Sequence, residues 1–533
     1  MISKILPLFL LLINSVISAQ QPTINWLDKV PNTFSEFIKN DSNGDLIVVG
    51  KVLNSNPIDY VAVYKYNKAG LLLWERKILS QYNGCHIRAF DIEIDSLDNI
   101  YVAGTINFSC TNSEAEGFLR KYNAAGTLLW TNVYGGNSGL AIEYKAMEIF
   151  QNKFIYVAGK SYTIGTGNPE QGFVARYDSS GSQNWTRTLS NNYETINSVL
   201  ALDKIGNIYI GGRTTCCLPG YDIFLYKCDS LGNTRWYQTV LDTTIGYAYP
   251  TFIAVDDSAN VYLTGSGSRI QNFNGVEFVL SKVDSSGNKK WYIIFTDSLN
   301  NGFDYPHALA VDKIGNAYLA GTIDASTTVN LNGFAAKIST AGNIIWKDKY
   351  EGPAHDDDGF QSGFLVNDTS FIVTGGATFT STAGGLLIRN YKNNGFIAWT
   401  YENVNHCFST AAVVIDSSIY CTGFFDGTQF GVPDSLMTCR LDFSLGNGVP
   451  KLYINSFYTV FPNPFIDVIT ITSKERNSSI QNIFITDILG RKIYEAFGVS
   501  LPTIIHLNRL DSGIYEIHLQ SNKTIERRKI LKY

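Results

Sequence analysis

The chain has 533 residues, more than one ordinary hydrophobic core supports unless the chain closes a repeat array. Hydrophobic residues make up 45% and charged residues 17%, which excludes an intrinsically disordered chain. The net charge of −5 comes from 42 basic and 47 acidic side chains with no basic stripe, and this argues against a nucleic-acid partner.

The first residues, MISKILPLFLLLINSVISAQ, place one Lys before an apolar run from Ile5 to Ile13 and a small residue near Ala19. This pattern reads as a secretory signal peptide over 1–19, with the mature chain starting near Gln20. The apolar run is too short to span a bilayer and no later stretch qualifies, so no transmembrane segment is expected. Beyond the leader, 46 Gly and 13% aromatics favour strands joined by tight turns, and no long apolar period of 3.6 suggests helix.

Two neighbouring segments then repeat. One begins with Asp and ends with Gly, as in DKIGNIYIGG (203–212) and DKIGNAYLAG (312–321), and has relatives starting at 41, 95, 152, 256, 368 and 416. Asp can bond its own backbone, and Gly and Asn tolerate positive φ, so each copy reads as a tight turn followed by a strand. The other, as in GFLRKYNAAGTLLW (117–130) and FVLSKVDSSGNKKW (278–291), reads as a hairpin whose second strand carries Trp. Trp recurs at 26, 74, 130, 185, 236, 291, 346 and 399, a period of 48 to 56 residues. With four short strands per unit, this spacing predicts an all-β fold, a β-propeller of eight blades over 20–452, with seven as the alternative. The strand before each Asp turn, as in FIAVD and ALAVD, reads as the fourth of its unit. The last unit lacks a Trp strand while Trp26 precedes the first Asp motif, so the N-terminal strand is expected to close the ring.

The units resemble the SBBP-type propeller repeats of exported bacterial proteins, D-x-x-G-N-x-Y-x-x-G followed by a strand and G-x-x-x-W, over about residues 26–442. The resemblance implies the fold and is nearly silent on function. The turn-and-Trp pattern is also similar to quinoprotein propellers. Those enzymes carry a vicinal disulfide, and Cys216-Cys217 are adjacent here, but the accompanying calcium and cofactor pattern is missing.

From about 453 the pattern changes to a small Ig-like β-sandwich. It resembles the type A sorting domain of the Bacteroidetes type IX secretion system. The matching residues are Phe461-Pro462-Asn463-Pro464-Phe465, Asp487 with Leu489-Gly490-Arg491, Leu510-Asp511-Ser512-Gly513-Ile514-Tyr515, and Lys529-Ile530-Leu531-Lys532. The resemblance implies secretion, engagement of the type IX machinery, and attachment to the outer cell surface or release.

Candidate chemistry is sparse. Asp356, Asp357 and Asp358 in AHDDDGF, beside His355, could offer oxygen ligands to Ca²⁺. The D-x-D-x-D-G spacing of a calcium loop is missing, so a solvated loop is the preferred reading. His307 follows Asp304 by three residues, but no nucleophile motif accompanies them, and a structural rim His is preferred. Eight Cys in an exported chain permit disulfides. Proximity in the blade plan suggests Cys85 with Cys110, Cys228 as a partner for Cys216 or Cys217, and Cys407 with Cys421 or Cys439. No paired CxxC or HxxxH pattern suggests zinc. Tyr82, Tyr134, Tyr247, Tyr249 and Tyr305 could stack on sugars or simply pack between blades. The expected function is a non-catalytic surface module binding glycan or protein. The alternative is a surface enzyme, quinone-dependent or acting on polysaccharide.

Overall fold

The computed structural model describes residues 23–442 and 458–532, apart from segments at 53–59, 81–84, 109–114, 137–138, 164–168, 190–194, 216–219, 241–244, 270–271, 296–303, 325–329, 355–356, 381–382, 404–406, 426–434, 462–466, 474–478, 488–490, 509, 512 and 521–524. The chain divides into two compact units, Met1–Gly446 and Asn447–Tyr533. Every regular element described is a β-strand.

The first unit is a β-propeller. Its described strands form eight four-stranded antiparallel sheets, numbered I to VIII, whose first strands are Thr33–Asn40, His86–Ile94, Leu140–Phe150, Thr195–Leu202, Ile245–Val255, Tyr305–Val311, Gly359–Val366 and Cys407–Ile415. Sheet IV is typical, with Thr195–Leu202, Ile208–Thr214, Asp222–Cys228 and Thr234–Thr239 side by side in sequence order. Sheet VIII takes three strands from the end of the unit, Cys407–Ile415, Ser418–Phe425 and Ser435–Asp442. Its fourth strand is Thr23–Pro31, antiparallel from Thr23 opposite Asp442 to Pro31 opposite Ser435. The first strand of each sheet lies against the first strands of both neighbours, and Thr33–Asn40 of sheet I lies against Cys407–Ile415 of sheet VIII. The inner strands therefore form a closed ring.

One expectation about phase needs correction. The strands ending in ALALD, FIAVD and ALAVD open their sheets instead of completing the preceding ones. The reason is the shortness of the Asp turn. It joins Leu202 to Ile208 as a hairpin, so both flanking strands must pair with each other.

At Asp41, Asp95, Asp203, Asp256 and Asp312 the turn carboxylate does the bonding the sequence suggested. Asp203 Oδ1 accepts from the amides of Ile205 (3.1 Å) and Asn207 (2.9 Å), and Asn207 Nδ2 donates to Oδ2 at 2.7 Å. Tyr209, on the following strand, donates its hydroxyl to the same Oδ2 at 3.2 Å. Asp95, Asp256 and Asp312 repeat this with Tyr101, Tyr262 and Tyr318.

The Tyr begins a ladder across the sheet. Tyr209 stands opposite Lys227, which stands opposite Trp236. The Lys227 ammonium lies 5.0 Å from the Tyr209 ring centroid. The ladder ends at the next sheet, where Lys227 Nζ and Trp236 Nε1 both donate to the Ser285 carbonyl, each at 3.1 Å. Gly287, two residues on, has φ +91°, and a Cβ there would meet the Trp236 ring at 2.9 Å. Glycine is needed for the turn and for the close approach of the indole. The seam uses the same parts. Trp26 donates to the Lys68 carbonyl at 3.2 Å and packs over Gly70 of sheet I.

The second unit has a three-stranded sheet, Tyr458–Phe461, Val468–Ser473 and Thr503–His506. It also has a four-stranded sheet in the order Lys492–Ser500, Ser479–Thr486, Gly513–Gln520, Ile525–Lys532. Ile469, Ile471 and Ile505 of the first pack with Ile483, Ile485, Ile517 and Leu519 of the second in one core.

Trp26 is held by the seam alone, whereas every later Trp joins sheets that are already consecutive in the chain. Trp26→Ala is expected to cost about 3 kcal/mol and to expose the N-terminal strand to limited proteolysis, which Trp236→Ala should not do. A melting curve and digestion pattern matching wild type would contradict the role of this strand in closure.

Candidate functional site: the inner ring

Each inner strand carries one β-bulge at the equivalent position. The residues passed over in the pairing are Glu36, Phe90, Lys145, Ser198, Thr251, His307, Gln361 and Thr410. A bulge re-aims a side chain and increases local twist. Opposite each lies the Gly that ends the repeat motif. At Gly321 a Cβ would run into the Tyr305 carbonyl oxygen, so the bulged strand can lie this close only to glycine. The bulged side chains reach the neighbouring inner strand. Thr410 Oγ1 donates to the Ser35 carbonyl at 3.4 Å, Glu36 accepts from Arg88 at 3.2 Å, and the Lys145 ammonium sits 4.0 Å from the Phe90 ring centroid.

The ring is asymmetric. Asp, Glu, Lys and Arg on the inner strands all lie in sheets I to III, within TFSEFIKN, HIRAFDIEI and LAIEYKAMEIF. The corresponding strands of sheets IV to VIII hold none.

Deeper along the charged arc, Lys39 forms an ion pair with Glu93. Asp91 accepts from its neighbour Ile92 at 2.8 Å and from Met147 of sheet III at 2.9 Å, so one carboxylate ties two sheets. Burial, then the Glu93 charge, pushes the Asp91 carboxyl up to about 7. Burial, with Glu93 and Asp91 adding to it, pushes Glu148 up to about 8. Burial opposes the Lys39 charge, but Glu93, Asp91 and Glu148 outweigh it and hold that ammonium above its ordinary pKa. Nearer the bulges, burial raises Glu36 to about 7 against the pull of Arg88 and Lys51.

The residues singled out from sequence fall elsewhere or do other work. His355 and Asp356 lie outside the described residues. Asp357 Oδ1 accepts from the Leu331 amide at 2.9 Å. Asp358 is buried, and its carboxylate accepts from the amides of Thr378 (2.8 Å) and Gly352. These two carboxylates thus fasten neighbouring backbone, and no metal-binding group of three or more His, Cys, Asp or Glu occurs among the described residues. His307 is a bulge residue, half-buried, and burial lowers its pKa to about 4, so the ring is neutral. Asp304 accepts from the Asp324 amide at 2.8 Å.

The cysteine pairings need correction where they are described. Cys228, Cys407, Cys421 and Cys439 are free and buried. Cys421 and Cys439 face each other across adjacent strands in the core of sheet VIII and pack there as small hydrophobes. Cys85 is disulfide-bonded, and Cys110, Cys216 and Cys217 lie outside the described residues. Of the tyrosines, Tyr247 and Tyr249 are exposed, Tyr134 and Tyr305 are half-buried, and Tyr82 is not described.

In the second unit Pro462, Asn463, Pro464 and Gly490 lie outside the described residues. Tyr515 donates to the Asp511 carbonyl at 2.7 Å across the turn that precedes Gly513. Gly513 and Lys529 belong to the last two strands, with Gly513 opposite Lys532 and Lys529 opposite Glu516. Lys532 is buried with its ammonium 3.5 Å from Asp467. Asp487 accepts from both the backbone amide and the side chain of Arg491, at 3.0 and 2.7 Å.

Residues 459–533 match the family model for a secretion system C-terminal sorting domain, Por_Secre_tail. The protein is thereby marked for type IX secretion and delivery to the outer cell surface. No curated protein matches the chain. Among solved structures, the chain is similar to the WD40 domain of SCAP from fission yeast, at 8% identity and TM-score 0.42, covering 78% of this chain and 98% of that one. It is also similar to the β-propeller domain of the Trilobed protease from Pyrococcus furiosus, at 10% identity and TM-score 0.37, covering 69% and 98%. A protein of unknown function from Dyadobacter fermentans matches at 9% identity and TM-score 0.38, covering 80% and 99%. None of these likenesses carries a functional argument.

The three raised carboxyls make folding bind protons. Glu36, Asp91 and Glu148 stay protonated in the folded chain at a pH where the unfolded chain has released those protons. Stability should therefore fall as pH rises from about 4.5 to about 8. Melting temperatures across that window should decline in the wild type and decline less in Glu148→Gln. A profile unchanged by that substitution would remove Glu148 from the linkage.

Proposed function

We propose that this is a non-catalytic module exported by the type IX system, which binds a glycan or protein ligand at the cell surface through its inner ring. One observation carries the reading. All eight inner strands keep the same bulge and the same facing glycine, yet the bulged side chains are acid, aromatic, amine, hydroxyl, imidazole and amide. The backbone repeats while the side-chain chemistry at these half-buried positions does not, which is what a surface adapted to an irregular ligand requires.

A binding screen of the mature chain against glycans and surface extracts tests this. Any specific ligand should bind at least tenfold more weakly to a His307→Ala/Gln361→Ala variant or to a Glu36→Ala/Lys145→Ala variant. Ligand binding untouched by both would move the site away from the inner ring. The sorting role predicts a separate result. Removal of 459–533 should leave the protein inside the cell, and undiminished surface protein would refute that role.

A second reading, a polysaccharide-cleaving surface enzyme, draws on Asp91 and Glu148, whose raised pKa values beside Glu93 suit a proton donor and its ionised partner. Release of reducing ends from a polysaccharide panel, abolished in Glu148→Gln, would establish it in place of the binding reading.

A further inference from the structure

Three consecutive bulges set Glu36, Phe90 and Lys145 on adjacent inner strands of sheets I, II and III. Arg88 Nε donates to Glu36 Oε1 at 3.2 Å, and the Arg88 guanidinium carbon lies 5.2 Å from the Phe90 ring centroid. Lys145 approaches the same ring at 4.0 Å and pairs with Glu143 at 2.9 Å. Glu143 also meets Lys160 at 3.3 Å, and Lys160 reaches Glu170 at 2.6 Å.

Two features of this cluster are incomplete. Glu36 Oε2 is buried and has no hydrogen-bond partner among the described residues. A buried oxygen left without a donor is costly, and a ligand that supplied one would relieve that cost. Arg88 is 55% exposed along its side chain and, among the described residues, donates only through Nε, leaving the planar fork of its terminal nitrogens to solvent. Charge is also unbalanced. With Glu36 protonated, the cations Arg88, Lys145 and Lys160 stand in this cluster beside the two carboxylates of Glu143 and Glu170.

We propose that this cluster binds the uronate residue of an acidic polysaccharide, an assignment that rests on the inner-ring reading above. The sugar carboxylate lies on Arg88 and Lys145, which charge-assisted hydrogen bonds favour. A ring hydroxyl meets Glu36 Oε2. The apolar C–H surface of the sugar covers Phe90. A run of Asp and Glu brings carboxylates but no apolar ring face to lie on Phe90, which is why a sugar is preferred.

The pH dependence has a definite sign. The charged groups acting on Glu36 are Arg88 from sheet II and Lys51 from sheet I. The sheet VIII neighbour, Thr410, is neutral, and Lys145 and Glu143 stand beyond Phe90. An anion beside Glu36 favours its protonated form, so affinity should weaken as pH rises through about 7.

The test is calorimetry on the mature full chain at pH 6 and pH 8 with three acidic oligosaccharides: oligogalacturonate, oligomannuronate and oligoguluronate. Neutral oligogalactose and polyglutamate serve as comparisons. At least one uronate should bind, and more weakly at pH 8. Arg88→Met and Lys145→Met should each lose tenfold or more. Glu36→Gln, which resembles the protonated acid, should keep binding and lose the pH dependence. Circular dichroism melts confirm that each variant folds. The proposal is overturned by failure of all three uronates, by equal binding of oligogalactose or polyglutamate, or by full affinity in Arg88→Met. A neutral sugar whose binding depends on His307 and Gln361 would overturn it while leaving the inner-ring reading standing. A ligand indifferent to every bulge residue would remove both.

Discussion

Most joints of the ring turn on one carbonyl oxygen. At five of them a backbone carbonyl in the outer turn accepts from both the lysine and the tryptophan of the preceding sheet, as Ser285 does from Lys227 and Trp236 and Thr340 does from Lys282 and Trp291, and at the seam Arg440 takes the place of the lysine. The lysine is drawn toward this oxygen by the tyrosine ring beside it and by the turn aspartate, whose charge favours the ammonium that burial penalises. The indole can reach it only because glycine lies beneath. Four residues from one sheet and two from the next thus make a single joint, and the loss of one leaves the others partly unsatisfied. This explains why the repeat preserves such scattered positions. The Asp, the Tyr, the Lys and the Trp are far apart in sequence, yet the antiparallel register lines them up.

The inner strands obey a different constraint. Each must bend away from its sheet to close a ring, and the bulge supplies that bend at the expense of one unpaired residue. The facing glycine is fixed by backbone contact. The bulged side chain is not fixed by anything in the repeat, and it is free to vary. The fold therefore separates residues that hold the ring from residues that meet what enters it. Concentrating charge in sheets I to III gives the ring a charged side and an uncharged side without disturbing the joints.

Much of the architecture was legible because its causes are local and periodic. The Asp turn, the Trp spacing and the surplus N-terminal strand each leave a mark within a few residues. The phase of the sheets did not, since ALAVD can be read as ending one unit or opening the next until pairing is known. The bulges left no mark on their own strands. Their trace is the terminal Gly of the opposite strand, which reads equally well as a turn residue. Glu36, Lys39, Asp91, Glu93 and Glu148 were visible as departures from the apolar copies FIAVD and ALAVD. Nothing local says that these strands face a common axis, so the charges carry no signal of a shared site. Asp358 and the cysteines of sheet VIII erred in the other direction. Reactive residue types close in sequence or in plan proved to be backbone fasteners and core packing.

The seam has a mechanical consequence. Asp442 ends the third strand of sheet VIII, opposite Thr23, so the chain enters and leaves the ring at one point. Its carboxylate is held by Ser418 at 2.6 Å, Arg440 at 2.8 Å and Asn25. Tension transmitted through the residues that follow Asp442 enters a strand bonded along both edges, to Ser418–Phe425 on one side and Thr23–Pro31 on the other. A pull directed along this strand would shear the ladder bonds together instead of unzipping them in turn. A protein tethered by its C-terminal side in flowing liquid would thus be loaded where its ring is doubly stitched, and the strand with a free edge would be spared.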